Sequence, residues 1–310
     1  MEYETAGDPM SGLKWSRRTT RKIAAELGKE GIVVSDKTVG RLLKGLGFSM
    51  QANRKRIALS GNGTKEKREA RDRQFNHICR MRMLFARRNE PVISVDTKKK
   101  ELIGEFKNAG RVWRDKPRAV ADHDFPSCAS AKVAPYGVYD TIANKGNVYL
   151  GTSHDTAAFA ADSICSWWAA HGAKSYPDAR RILILADSGG SNAPTNKAWK
   201  YHLWSGLCQG RGLTVTVCHY PAGASKWNPI EHRLFSEISK NWAGEPLTSI
   251  ETALKFIRTT KTAAGLRVKA KLNNKRYPTK EKICEDNLAK MRIKTHKKEP
   301  KLNYELRPSK

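Results

Sequence analysis

Between residues 16 and 48 the apolar positions fall at helical spacing twice. Ile23, Ala24 and Leu27 form the first stripe, behind Thr19 or Thr20 as N-cap, and Gly28 and Gly31 break it. Val39, Leu42, Leu43 and Leu46 form the second, on a helix from Asp36 to Leu46 that Ser35 caps and Gly47 stops. All four of these apolar side chains are expected to face inward, with Lys37, Arg41 and Lys44 on the outer side. A helix, a short connection and a basic second helix make the helix-turn-helix pattern, whose second helix enters a major groove. Any small helical hairpin gives the same pattern. The polar residues 1–15 before it read as a frayed end.

Residues 49–88 form a basic linker and helix. Gln51, Asn53, Arg54, Lys55 and Arg56 precede the flexible Ser60-Gly61-Asn62-Gly63 break. A charged helix then runs from Thr64 to about Arg88, with Phe75, Ile78, Met81 and Phe85 on one side. From residue 89 to 245 strands and helices alternate. Val92 to Val95 is a strand ending at Asp96, and Tyr136 to Ile142 with Val148 to Thr152 reads as a hairpin. Asp155 to Ala170 is a helix. Arg181 to Ala186 is apolar on both faces, as a central parallel strand is. A helix from Thr195 to Leu207, a strand from Leu213 to Cys218 and a helix from Asn228 to Trp242 complete the order. Three strands, helix, strand, helix, strand, helix is the succession of an RNase H-like fold, an α/β class with a mixed sheet covered by helices. Residues 97–132 interrupt it as an insertion with a short strand at Leu102 to Phe106. Residues 246–310 are basic and broken by Pro246, Gly265, Pro278, Pro300 and Pro308. A disordered tail, an arm tracking DNA and a docked subdomain all fit that segment.

Charge narrows the partner. Fifty-eight Lys and Arg against thirty Asp and Glu give a net charge of +28 over 310 residues. Such an excess implies a polyanion, and counterion release from nucleic acid supplies the affinity. No apolar run reaches the roughly 18 residues that a membrane span needs, and no signal-peptide profile opens the chain, so a cytosolic protein is expected. Cys79, Cys128, Cys165, Cys208, Cys218 and Cys284 contain no C-x-x-C pair, which excludes a zinc framework and a disulfide scaffold.

Three carboxylates carry the candidate chemistry. Asp96 and Asp187 each end a strand expected near the sheet centre. Parallel neighbours would deliver both acids at the end where open α/β sheets bind ligands. Glu231 shares the stripe of Leu234, Phe235 and Ile238, and a carboxylate on a core-facing stripe is costly unless paired or metal-bound. Two Mg²⁺ ions about 3.5–4 Å apart, with Asp96 as the bridge, would clamp an in-line displacement at phosphorus. The bland reading is a set of turn-formers, with Asp187 to Asn192 as a strand-to-helix turn capped by Asn192. Asp155 reads as an N-cap and Asp162 as a solvated helix position. Lys98, Lys99, Lys100 and Lys226 either contact phosphates near the metals or are solvated. His219 and His232 suit hydrogen bonding or packing better than catalysis, and Trp227 either stacks on a flipped base or packs.

The segments Ser94 to Glu101, Tyr136 to Asp140, Ala186 to Asn192, Cys218 to Pro221 and Asn228 to Phe235 resemble the Rhodopirellula-type DDE transposases of bacterial insertion sequences (the ISAzo group). Thr38 to Leu43 and Gln51 to Lys55 resemble that family's DNA-binding region, and the Asn-Pro-Ile-Glu element is shared with the mariner-like superfamily. The resemblance implies an RNase H-like domain with Asp96, Asp187 and Glu231 as the triad. It also implies Mg²⁺- or Mn²⁺-dependent cleavage at inverted-repeat ends, then attack of the freed 3′-hydroxyl on target double-stranded DNA. Because two ends must be synapsed, a homodimer is expected, in a bacterial, nucleoid-associated protein. Family members carry more sequence before Gly7, including a further helix-turn-helix. A truncated, inactive protein that only binds DNA is therefore the alternative.

Overall fold

The computed structural model describes residues 5–7, 14–16, 19–50 and 65–309, divided between two compact units, Met1–Ala58 and Leu59–Lys310. In the first unit, β1 (Thr5–Gly7) and β2 (Lys14–Ser16) pair antiparallel where a frayed end was expected. Helices α1 (Thr20–Lys29) and α2 (Asp36–Gly45) follow. Of the two candidate caps of α1, Thr19 takes the role, its hydroxyl accepting Lys22 N–H, and the Ser35 hydroxyl caps α2 by accepting Thr38 N–H as expected. Arg21 and Asp36 pair across the two helices at 3.6 Å. The inward stripe is narrower than expected. Val39 is buried and Leu43 half-buried, whereas Leu42 and Leu46 are 53% and 73% exposed. A stripe at i, i+3, i+4, i+7 is buried only as far as a packed partner covers it. Lys37, Arg41 and Lys44 are exposed, and Arg54 lies outside the described residues.

The second unit opens with α3 (Lys65–Arg87). Its strands are β3 (Val92–Thr97), β4 (Glu101–Ile103), β5 (Ala131–Asp140), β6 (Lys145–Gly151), β7 (Arg181–Ala186), β8 (Thr214–His219), β9 (Arg267–Asn273), β10 (Arg292–Thr295) and β11 (Asn303–Arg307). The sheet order is β10-β11-β8-β7-β3-β5-β6-β9, with β4 on the edge of β5. At its centre β3, β7 and β8 run parallel, while β5 is antiparallel to both β3 and β6. That is the RNase H-like arrangement, and the alternation of apolar runs places it at the expected residues.

Helices cover both faces. On one lie α4 (Ala157–Trp167), the short α5 (Ala173–Ser175) and α6 (Lys197–Leu203), over Ile93, Val95, Val138, Ile182 and Val215. On the other, α3 covers Val92, Leu183 and Leu185, while α7 (Ser236–Asn241) and α8 (Ile250–Thr259) cover Tyr139, Val148 and Leu150. The C-terminal segment docks. β9 adds parallel to β6, and β11 adds antiparallel to β8 at the other edge. Between them the chain, with α9 (Glu285–Ala289), crosses the α4–α6 layer. Tyr277 donates to Asp162 at 2.6 Å, and Lys197 pairs with Glu285 at 3.3 Å. Asp162 is thus a partner of the tail rather than a solvated position. The insertion folds back onto residues 244–247, where Asn108 Nδ2 donates to Glu245 O at 2.7 Å and Gly104 N–H to Leu247 O at 2.8 Å.

Candidate active site

Val95 sits opposite Ala186 in the parallel β3–β7 pair, so Asp96 and Asp187 leave adjacent strand ends about 4.8 Å apart. The third acid arrives from the helix above. Buried Asn228 sets its position. Ser94 Oγ donates to Asn228 Oδ1, accepts Ile230 N–H at 3.1 Å, and Asn228 Nδ2 reaches Val95 O at 3.4 Å. Ser94 precedes Asp96 by two residues and shares its face of β3. The helix start is thereby fastened to the strand that carries the first acid. Leu234, Phe235 and Ile238 are buried below it and Glu231 is half-buried, as the stripe predicts. The turn Glu231–Phe235 is a π-turn, as are Trp168–Gly172 and Trp204–Gln209, so that geometry does not mark the site by itself.

Close approach of this helix depends on two glycines. A Cβ on Gly137, the residue paired with Asp96, would lie 2.7 Å from Ile230 Cδ1 and from Phe235 Cε1. One on Gly146 would lie 2.4 Å from Leu234 Cδ1. Larger residues at either position would lift the Glu231 helix off the sheet.

The acids repel one another. Burial first, then the Asp187 charge, pushes Asp96 up to about 8, with Glu231 and Asp155 adding to the effect. Asp187 is raised by burial, and Glu231 by burial and then by Asp187. Among the described residues only Thr97 N–H (to Asp96 Oδ1, 2.8 Å) and Gly189 N–H (to Asp187 Oδ1, 3.1 Å) are bonded to the two aspartates. No three Asp, Glu, His or Cys side chains among the described residues stand close enough together to hold a metal ion. Like charges this close raise one another, and a hard divalent cation would compensate them. An all-oxygen set of desolvated acids is the donor chemistry that Mg²⁺ or Mn²⁺ takes. The donor chemistry of the three acids fits such an ion, although their side chains do not stand around a common point.

Several neighbours were not legible beforehand. Thr156, not Asp155, caps α4, and Asp155 Oδ1 instead accepts Thr97 Oγ1–H at 3.1 Å beside the site. Asn196, not Asn192, caps α6, and buried Asn192 accepts the Tyr136 hydroxyl at 3.0 Å. His219 is buried and held to about 4 by desolvation, hence neutral. Its Nδ1 lies 2.8 Å from the Asp187 carbonyl, which only accepts, so Nδ1 carries the proton. Nε2 therefore accepts from Tyr304 at 3.2 Å, and Tyr304 accepts Trp199 Nε1–H at 3.0 Å. Gln74 of α3 donates to His219 O at 2.8 Å and pairs with Asn303 through both side-chain amides. Elements from both ends of this unit thus support the Asp187 loop. His219 is a packing and hydrogen-bonding residue, and exposed His232 donates to Lys226 O.

The basic residues differ in availability. Lys98 is ion-paired with Glu101 and lies over the Trp242 ring at 4.8 Å. Lys99 and Lys100 are exposed. Lys226 is exposed with its Nζ 5.2 Å over Trp227, and Trp227 is itself 54% exposed with an edge contact to Phe75.

The sequence model described as Rhodopirellula transposase DDE domain matches residues 1–308. No curated protein matches the chain. Among solved structures, the Mos1 transposase paired-end complex with left transposon end aligns at 17% identity and TM-score 0.44, over 77% of this chain and 65% of that one. The Mos1 Strand Transfer Complex aligns at 17% and 0.45 over 77% and 64%, and the Mos1 mariner paired end complex with Mn at 16% and 0.41 over 77% and 65%. The chain spans a little under two thirds of the length of those transposase chains.

Proposed function

Because the chain belongs to the Rhodopirellula transposase DDE-domain family, we propose that it binds the inverted-repeat ends of a transposon, cleaves a strand there and joins the freed 3′-hydroxyl to target DNA. Asp96, Asp187 and Glu231 are the acids of this reaction. The observation that carries the reading is their arrival from three separate elements at one sheet end, each raised by burial and two of the three by a neighbouring acid as well. Bound there, two Mg²⁺ or Mn²⁺ ions would supply positive charge for the attacking and leaving oxygens of an in-line displacement at phosphorus.

The chain's own residues do the rest. Asp96, the most desolvated of the three, would hold the ions together with Asp187 and Glu231. The Ser94–Asn228 lock and the Tyr304–His219 chain fix where the carboxylates emerge. Lys37, Arg41 and Lys44 face DNA from the second helix of a helix-turn-helix, and a net charge of +28 supports phosphate contact over a wide surface. Lys99, Lys100 and Lys226 are free to contact phosphates beside the acids, while Lys98 stabilises Glu231 from its pairing with Glu101. Two chains act together, since two ends must be joined.

The test uses the full chain, Mn²⁺ or Mg²⁺ and a duplex carrying the inverted repeat that flanks the gene. Asp187→Ala is expected to abolish metal-dependent cleavage while binding stays within about twofold. Binding without cleavage by the wild-type chain would overturn the catalytic assignment and leave a DNA-binding remnant.

A further inference from the structure

A cavity of about 360 Å³ opens far from the three acids. Lys145 and Asn147 of β6 and Arg267 and Lys269 of β9 line it from the sheet, and His171 and Lys174 from the segment after α4. Asn147 pairs with Val138, whose side chain lies in the α4 core, and Lys145 pairs with Asp140 near the start of β3. The cavity therefore lies on the α4 face at the beginning of β3, whereas Asp96 lies at its end on the α7 face.

The lining has the chemistry of an anion site. Lys145, Lys174, Arg267 and Lys269 have no ion pair among the described residues. Lys145, Lys174 and Lys269 line the same cavity as His171, and after burial their charges lower it. Asn147 is 5% exposed, and its side-chain amide has no hydrogen-bond partner among the described residues. Its polar atoms are not among the fully buried unpartnered ones, so the amide is open to the cavity and available to a ligand oxygen. The carboxylate of Asp140, also on the lining, is already taken by the Tyr176 hydroxyl at 2.9 Å and by the N–H groups of Ile142 and Ala143.

The cations also extend past the cavity. β9 alternates strictly, with Val268, Ala270 and Leu272 toward the α8 core and Arg267, Lys269 and Lys271 on the other face. Every second residue recurs at about 6.6 Å, an interval that matches successive phosphates along a nucleic-acid strand. Lysines on an edge strand also guard against strand-to-strand association. That role accounts neither for Lys174 and His171, brought from a helix, nor for the unpartnered Asn147.

We infer that this cavity and the β9 row form a second phosphate-binding site, separate from the three acids, that takes the phosphodiester backbone of duplex DNA. The ligand rests on the DNA-binding reading above. The site itself does not.

The full chain is titrated with a 30-bp duplex of arbitrary sequence while fluorescence anisotropy reports binding. Amine acetylation read by mass spectrometry then compares each lysine free and bound. Labelling of Lys145, Lys174 and Lys269 is expected to slow at least fivefold in the bound state. Lys145→Gln, Lys174→Gln and Lys269→Gln together are expected to reduce the slope of log affinity against log salt by roughly 2–3, at about 0.9 per phosphate contact. Unchanged labelling in a chain that anisotropy shows to be DNA-bound overturns this site and leaves the transposase reading standing. Absence of any DNA binding overturns both. A parallel arm uses inorganic pyrophosphate: protection by it and not by the duplex overturns the DNA backbone as the source of the phosphate.

Discussion

The Ser94 hydroxyl and the Asn228 side-chain amide interlock on the strand that carries Asp96, and the same hydroxyl accepts the Ile230 N–H at 3.1 Å. Both residues are fully buried. Asn228→Ala leaves Ser94 and the Val95 carbonyl short of a partner, which costs about 1–3 kcal/mol. It also frees the start of the Glu231 helix, and a displacement near 1 Å at a reacting centre costs on the order of 100-fold in rate. Cleavage is expected to fall by about that factor with DNA affinity kept, as gel-based cleavage and anisotropy on the same preparation would establish. Equal loss of both would mean that the residue only supports the fold.

Proton binding at Asp96 gives stability a defined slope. Its carboxyl moves from 3.8 to about 8 on folding, so between those values the folded chain holds more protons than the unfolded one. Stability from this group is greatest below about pH 4 and declines as pH rises toward 8. In chelator, the melting temperature of the wild-type chain is expected to fall between pH 5 and pH 8 more than that of Asp96→Asn. Because the ligands must be deprotonated, Mn²⁺ raises the wild-type melting temperature at pH 8 and has little effect at pH 5. Identical pH profiles for the two chains would remove Asp96 from the buried acid cluster.

Gly137 is a spacing device. Gly137→Ala forces Ile230 and Phe235 to move from contacts of 2.7 Å, an overpacking worth about 1–3 kcal/mol. The variant is expected to melt several degrees lower and to lose cleavage out of proportion to DNA binding. Unaltered cleavage would show that Glu231 tolerates a lifted helix.

The C-terminal strand reaches the acids through Tyr304. Tyr304→Phe takes the donor from His219 Nε2 and the acceptor from Trp199 Nε1, which costs about 2 kcal/mol for two buried groups. Cleavage is expected to fall about tenfold, because the Asp187 carbonyl loses a firmly held imidazole. Thermal melting and single-turnover cleavage measure the two effects, and a stable variant with full activity would disconnect the tail from the site.

What could be read directly from the residues was local. Val92 to Val95 and Arg181 to Ala186 are strands because their apolar runs have the length and the end residues of strands, and a strand-end acid emerges wherever that strand ends. Glu231 could be placed by its spacing from Leu234, Phe235 and Ile238, since helical period alone fixes a shared face. Ser35 declared its cap by residue type and position, and of the two candidate threonines Thr19 takes the other.

Long-range pairing decided the remainder. Arg-Val-Lys-Ala-Lys-Leu at 267–272 has a strand's alternation, but only the open edge of β6 selects it as β9, and only β8 gives Tyr304 its place below Asp187. Leu42 carried the same apolar signal as Val39, yet its exposure depended on how much of α2 a partner covers. Asp155 looked like a cap until the fold put Thr97 beside it. A sequence states what each residue prefers over a few turns of chain; which distant group meets it follows from sheet order and packing, where many weak contacts choose together.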